Sequence, residues 1–191
     1  MYPIIRNRRL RTSNALRSLV QETTLTVDDF IVPLFVVEGA GIKEEILSMP
    51  GQYRMSLDLL EDEIRELTTL NLKAVLLFAK TDDAKKDNKG VEAWNPEGLM
   101  QRAIKNVKTT NSDMLVLTDV ALDPFSIYGH DGIVGGGKVL NDPTVEALCK
   151  MSVSHARAGA DLVAPSDMMD GRIIEIRKAL DAEGFEDVGI L

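Results

Sequence analysis

The chain is poor in cysteine, in aromatic residues and in long apolar runs. Its 191 residues include one cysteine, Cys149, and 5% aromatic residues. A single cysteine excludes a disulfide framework and a cysteine-based zinc site, and we expect Cys149 to be a half-buried helix residue. No apolar run approaches the roughly 20 residues of a membrane-spanning helix, and residues 1–10 lack the apolar core of a signal peptide. We therefore expect a cytoplasmic protein without a membrane partner.

The chain also has an excess of negative charge. Its 22 basic and 30 acidic residues give a net charge of −8. Nucleic acid is therefore not expected as a partner, because duplex binding depends on Lys and Arg side chains that neutralise phosphates. The local exception is a group of arginines near the amino terminus, which is typical of a solvated or subunit-contacting segment. These arginines are Arg6, Arg8, Arg9 and Arg11.

Apolar patterning predicts alternating strands and helices. Strands are expected at 30–37, 72–78, 114–122, 160–164 and 188–191, and helices at 57–70, 96–107, 144–158 and 171–182. Pro96 is expected to begin one helix, and Asn141 to cap another ahead of Pro143. Continuous apolar strands joined by helices predict an α/β fold with a parallel sheet, and the regular repeat favours a (β/α)₈ TIM barrel over a doubly wound sheet.

The number of strands is small for a complete barrel. A (β/α)₈ barrel needs roughly 250 residues, or at least about 200. The sequence accounts for about five βα units, and the fifth predicted strand ends with the chain at Leu191. We therefore expect the chain to be part of a longer protein.

Two acidic turns follow predicted strands. Residues 118–124 read Thr-Asp-Val-Ala-Leu-Asp-Pro, and residues 164–172 read Ala-Pro-Ser-Asp-Met-Met-Asp-Gly-Arg. Because parallel strands present their carboxyl ends at one edge, these acidic groups are expected to cluster where α/β folds place their chemistry.

Residues 132–138 are a less specific motif. The segment Gly-Ile-Val-Gly-Gly-Gly-Lys fits the first seven positions of a phosphate-binding loop, but the eighth residue is Val139 instead of Ser or Thr. It also neither directly follows a predicted strand nor opens a helix. We interpret it as a mobile loop over the mouth of the barrel.

Several motifs together closely resemble the porphobilinogen synthase family, also called δ-aminolevulinic acid dehydratase. They are Arg8-Arg-Leu-Arg11, Pro33-Leu-Phe-Val36, Ser48-Met-Pro-Gly51, Asp119-Val-Ala-Leu-Asp-Pro124, Gly129-His-Asp-Gly132, Asn141-Asp142 and residues 164–173. The resemblance implies an N-terminal arm at 1–25 and a partial barrel at 26–191. It also implies homo-octamers that condense two 5-aminolevulinate molecules into porphobilinogen, with loss of water, for tetrapyrrole synthesis.

The resemblance also assigns site residues. It implies that Asp119 is catalytic, that Ser166 binds substrate and that Asp167 lines the pocket. From the residues alone, Asp119 could cap a loop, Ser166 could cap the following helix, and Asp167 could simply suit a helix amino terminus. The family's two Schiff-base lysines lie on the fifth and sixth strands, downstream of Leu191. We therefore expect this chain to be inactive by itself.

Metal use is inferred from the loop after the third predicted strand. Zinc-dependent family members carry three cysteines there, and the matching positions are Ala121, Asp123 and Asp131. Carboxylates suit Mg²⁺ better than zinc, so the resemblance implies a zinc-independent, magnesium-stimulated protein without an organic cofactor. Asp123 and Asp131 are the expected metal ligands, with solvated loop carboxylates as the alternative.

The sequence is also compatible with two other classes of function. One is another Schiff-base barrel, such as an aldolase, which would share the parallel strands but not the paired acidic motifs. The other is a non-catalytic truncated barrel fragment that acts only in assembly, which the missing lysines favour for the chain by itself.

Overall fold

The structure is a computed structural model that describes residues 2–191. Met1, the first residue of the predicted arm, lies outside the described residues. The segment before the sheet contains a 3₁₀ turn at Asn7–Arg11 and the short helix α1 at Asn14–Leu19, which Ser13 caps by accepting a 3.1 Å hydrogen bond from the Leu16 amide. Nearly all of its side chains are exposed. The predicted division after residue 25 stays a prediction.

Alternating strands and helices follow, as the apolar pattern predicts. The strands are β1 (Ile31–Val37), β2 (Lys43–Glu45), β3 (Tyr53–Met55), β4 (Ala74–Lys80), β5 (Leu115–Val120), β6 (Val134–Gly135), β7 (Lys138–Val139), β8 (Leu162–Pro165) and β9 (Gly189–Ile190). The longer helices are α2 (Leu57–Thr69), α3 (Leu99–Thr110), α4 (Asn141–Ala158) and α5 (Arg172–Ala182). No helix within residues 2–191 is both long enough and apolar enough to cross a membrane.

The sheet has the topology of a partial barrel. The strands β1, β4, β5, β8 and β9 are parallel neighbours in chain order, and their sheet is not closed within the described part of the chain. The strand β3 adds parallel to the other side of β1, and β2 pairs antiparallel with β3. The five predicted strands are thus confirmed as one parallel set.

The two faces of the sheet differ because successive side chains on a strand point in opposite directions. One face packs against the helices and buries residues such as Leu77, Val116 and Val163. On the other face, the rings of Phe35 and Phe78 stack with their centroids 5.1 Å apart. This second face corresponds to the inside of a barrel.

Three predicted helix starts are wrong in detail. Helix α4, predicted at 144–158 with Asn141 as its cap, begins at Asn141 itself. Its N-cap residue is Leu140, which forms no side-chain cap bond. Helix α3 begins at Leu99 instead of Pro96, because the Gly98 amide bonds to the Asn95 carbonyl and forms a separate turn. Helix α5 has Gly171 at its N-cap, with a φ of 78°, so Ser166 does not cap it.

Two short hairpins were not predicted. The strands β2 and β3 enclose the loop that carries Ser48-Met-Pro-Gly51. The strands β6 and β7 form a hairpin in the predicted mobile loop at 132–138, with β7 extending one residue beyond it. Strands of two or three residues are too short to show the alternation by which a strand is recognised.

A buried histidine links β5 to the helix layer. His155 on α4 is fully buried, and its Nδ1 atom lies 3.0 Å from the Oγ1 atom of Thr118, which is also buried. Burial lowers the pKa of His155 to about 3. His155 is therefore neutral at physiological pH and serves packing.

We predict that acid weakens the fold through His155. The pKa of His155 is lower in the folded chain than in the unfolded chain, so its stabilising contribution is present above pH 6.5 and is lost as the pH falls towards 3. When the pH falls from 7 to 4.5, the unfolding free energy of the parent chain should decrease. In His155→Gln, this decrease should be smaller by about 2 kcal/mol. Urea unfolding at both pH values measures this difference, and equal losses would contradict it.

Candidate functional site

The predicted acidic residues meet at the carboxyl ends of β5 and β8. Asp119 lies near the end of β5, on the face opposite the helices, and is in register with Ala164 on β8. The Ser166 amide donates to the Val120 carbonyl over 3.1 Å, which continues the pairing one step beyond β8. The paired strands therefore bring the two acidic turns side by side, as the sequence predicts.

Asp119 has the most perturbed carboxylate of this group. Burial raises its pKa to about 7, and the negative charges of Asp123, Asp131 and Asp167 add to this shift. A carboxyl group with this pKa is present in both protonation states near neutral pH. It can therefore accept or donate a proton, which is what general acid–base catalysis requires.

Asp123 and Asp131 lie on the loop between β5 and α4. Asp123 opens a 3₁₀ turn with Pro124, and partial desolvation and the charge of Asp131 raise its pKa, which Lys86 partly offsets. The described residues contain no group of three or more His, Cys, Asp or Glu side chains arranged to hold a metal ion. Two carboxylates completed by water nevertheless fit the oxygen chemistry of Mg²⁺, which is usually held by one or two carboxylates.

The turn after β8 is held together by Asp167. Its Oδ1 atom accepts a 2.7 Å hydrogen bond from the Met169 amide, and its Oδ2 atom lies 3.0 Å from Nε of Arg172. Burial raises the pKa of Asp167, whereas the Met169 hydrogen bond and the positive charge of Arg172 lower it. Ser166 is exposed beside this turn, so its hydroxyl group is accessible to a ligand.

Several other side chains that could carry chemistry lie outside this cluster. Asp170 is exposed, and its backbone exchanges two hydrogen bonds with the side chain of Asn141 at 2.8 and 3.2 Å. Lys80 is exposed and lies 3.8 Å from Glu44 in an ion pair. His130 is an exposed loop residue. Cys149 is half-buried on α4, as predicted.

Sequence reasoning missed the partners that fix these turns. It gave no role to Arg172, although an arginine five residues after Asp167 and at the start of a helix signals an ion pair across the turn. It also missed Asn88, which bonds to Val134 from the loop after β4. No local pattern indicates that contact, because 46 residues separate the two positions.

A partial parallel barrel whose carboxylates meet at the carboxyl ends of its strands defines a TIM-barrel protein with an acidic site. The family model described as delta-aminolevulinic acid dehydratase matches residues 4–191. The chain therefore belongs to the delta-aminolevulinic acid dehydratase family, which is the porphobilinogen synthase family, and the resemblance in its motifs is confirmed.

Individual relatives agree with the family. The delta-aminolevulinic acid dehydratase of Methanothermus sociabilis is 50% identical over 190 residues, which cover 100% of this chain and 58% of that protein. The chloroplastic protein of Physcomitrium patens is also 50% identical, over 97% of this chain and 43% of its own length. The chain thus spans about half the length of these curated relatives.

A solved structure agrees as well. The crystal structure of the Toxoplasma gondii delta-aminolevulinic acid dehydratase, in complex with the reaction product porphobilinogen, has a TM-score of 0.96 and 47% sequence identity. The match covers 100% of this chain and 54% of that chain. The partial barrel is therefore the fold of the corresponding half of that enzyme.

We predict that Asp119→Asn stabilises the fold at alkaline pH. The pKa of Asp119 is higher in the folded chain than in the unfolded chain, so its stabilising contribution is present below pH 3.8 and is lost as the pH rises through 7. The difference in unfolding free energy between the variant and the parent should therefore rise by about 3 kcal/mol, in favour of the variant, from pH 4 to pH 8.

Urea unfolding at a series of pH values measures this gain. Asp113→Asn is the matched control, because Asp113 is an exposed aspartate that precedes β5 at the other end of the strand. A gain that does not change with pH, or that is equal in the control, would contradict the assignment of a buried, protonated Asp119.

Proposed function

We propose that the whole protein is a porphobilinogen synthase, which condenses two 5-aminolevulinate molecules to porphobilinogen with loss of water. The observation that carries this proposal is the position of Asp119, whose raised pKa and inward orientation combine with membership of the family. The Toxoplasma gondii relative, bound to porphobilinogen, supports the same chemistry. Family membership also argues against the aldolase alternative.

The residues of this chain supply the acidic part of the proposed site. Asp119 exchanges protons with the substrate at the carboxyl end of β5, because it is populated in both protonation states at neutral pH. Ser166 hydrogen-bonds the substrate through its exposed hydroxyl group. Asp167 lines the same pocket, where Met169 and Arg172 hold its carboxylate in place.

The covalent part of the reaction depends on residues beyond position 191. The family resemblance assigns it to two lysines on later strands, because an iminium formed on lysine withdraws electrons better than a ketone. We therefore propose that the chain by itself is inactive. A purely structural role in assembly remains the alternative for the isolated chain.

We propose Mg²⁺ as the metal, with Asp123 and Asp131 as its ligands and no organic cofactor. Both residues are carboxylates on one loop, and the charge of Asp131 raises the pKa of Asp123, so a cation between them would relieve their repulsion. When bound, a magnesium ion would supply positive charge at the edge of the site. The chain's own part is to hold the two carboxylates near each other.

We also propose homo-octamers that assemble through the arm. Residues 1–25 contain five arginines and one glutamate, whereas the chain as a whole has a net charge of −8. The arm also exposes apolar side chains, including Ile4, Ile5 and Leu19. A basic, apolar segment suits an acidic partner surface, such as a second copy of the chain. The cytoplasmic location stays a prediction, and the Physcomitrium patens relative is named as chloroplastic.

The proposed activity can be tested in a chimera that joins this chain to the remaining residues of the Methanothermus sociabilis relative. The 191-residue chain alone should form no porphobilinogen from 5-aminolevulinate, whereas the chimera should form it. In the chimera, Asp119→Asn should reduce turnover by about 100-fold or more, because it removes the proton-exchanging group. Chromatographic assay of the product measures both results.

Asp113→Asn is the control for this experiment and should leave the turnover of the chimera unchanged. Turnover of Asp119→Asn equal to that of the control would refute the role given to Asp119. A folded chimera that consumes no 5-aminolevulinate would refute the proposed activity itself.

The proposed metal site makes a separate prediction for the same chimera. Mg²⁺ should stimulate turnover, and Asp131→Asn should raise the Mg²⁺ concentration for half-maximal stimulation by about 10-fold, because the site loses a charged ligand. Asp170→Asn is the control, since Asp170 is exposed and lies outside the loop. An unchanged response in Asp131→Asn would show that this carboxylate is only solvated.

A further inference from the structure

The loop between β5 and α4, residues 121–140, carries both proposed metal ligands. Its far end is held at the start of α4, where the Ile133 amide donates to Oγ1 of Thr144 over 3.0 Å and the Leu140 amide donates to the Ile133 carbonyl over 2.8 Å. Gly132 is buried there, and a Cβ atom at this position would overlap the side chains of Val139 and Met169. These contacts fix where the loop ends but not how it crosses the mouth of the barrel.

The loop after β4 meets this loop at two further places. The Asp87 amide donates to the Phe125 carbonyl over 3.2 Å, and the Ile127 amide donates back to the Asp87 carbonyl over 3.3 Å. The next residue, Asn88, uses its side chain instead: Nδ2 donates to the Val134 carbonyl over 2.8 Å, and Oδ1 accepts from the Val134 amide over 3.0 Å.

We propose that Asn88 is a positioning residue that holds Asp131 over the carboxyl end of β5. Its carboxamide forms both hydrogen bonds that a neighbouring strand would form with Val134. Together with the bonds of Asp87, this contact fixes the loop on both sides of Asp131. The benefit to cation binding rests on the proposed metal site, whereas the restraint on the loop does not.

The chemistry of the side chain supports this role. Among short side chains, only asparagine carries a donor and an acceptor that can pair with both groups of one backbone residue. Aspartate has the same shape but cannot donate when ionised, and alanine does neither. The negative charge of Asp131 also raises the pKa values of Asp119, Asp123 and Asp167, which is consistent with its being held close to all three carboxylates.

Amide hydrogen exchange in the 191-residue chain tests the proposal. In Asn88→Ala, exchange should become about 10-fold faster or more at several amides of residues 131–139, including those of β6 and β7, because the whole segment loses a restraint. Amides of β5 and α4 should be unchanged. Asn88→Asp keeps the shape and the acceptor but loses the donor, so it should show the same pattern even if the alanine variant folds poorly.

Lys89→Ala is the matched control, because Lys89 is the exposed neighbour of Asn88 and its backbone contact with Asp87 does not involve its side chain. It should leave exchange unchanged. Faster exchange confined to the Val134 amide, which loses its own acceptor, would overturn the proposal. Equal acceleration in the control would overturn it as well.

Titration with Mn²⁺, a probe for an oxygen-ligand divalent site, gives a second readout. Asn88→Ala should weaken Mn²⁺ binding by about 10-fold, as expected when a residue that orients a metal ligand is removed. Wild-type affinity in this variant would count against the positioning role. A parent chain that binds no Mn²⁺ would count against the proposed metal site instead, and the exchange pattern would still decide the role of Asn88.

Discussion

The in-register pairing of β5 with β8 is the interaction on which the candidate site depends. It places Asp119 opposite Ala164, and the Ser166 amide extends the pairing by one further hydrogen bond. A shift of one residue would turn Asp119 towards the helices, because side chains alternate between the two faces of a strand. The buried apolar side chains of Val116, Val120 and Val163 on the helix-facing side make that shift costly. In this way the hydrophobic core fixes the position of a polar site.

The same arrangement places several negative charges together with few positive ones nearby. Asp119 lies near Asp123, Asp131 and Asp167. Three features reduce the repulsion among these carboxylates. Asp119 takes up a proton more readily, Lys86 partly offsets the charge near Asp123, and Arg172 pairs with Asp167. An acidic site that resists full ionisation is suited to proton transfer and to cation binding, and both properties follow from one electrostatic constraint.

Much of this architecture could be predicted from the sequence because strands and helices leave periodic apolar patterns. All five parallel strands and four long helices are confirmed, and so is the meeting of the two acidic turns. The helix starts at Leu99, Asn141 and Arg172 were missed. At Leu99 the cause is the separate turn closed by the Gly98 amide and the Asn95 carbonyl, and at Arg172 it is the left-handed backbone of Gly171. The two hairpins were not predicted because strands of two or three residues are too short to show an alternating apolar and polar pattern. The contact of Asn88 with Val134 is set by the tertiary fold alone.

The residues of the hydrophobic core differ from those of the candidate site, and for this reason folding and the proposed chemistry are separable. The buried residues lie between the sheet and the helices and include His155, whose neutral ring pairs with Thr118 directly behind the strand face that presents Asp119. The polar residues of the site lie on loops that these elements position, which is where α/β folds place functional groups. The loops are in turn tied to one another across the mouth of the barrel by Asp87 and Asn88. A substitution in these loop contacts can therefore alter the geometry of the carboxylates while the hydrophobic core beneath them stays intact.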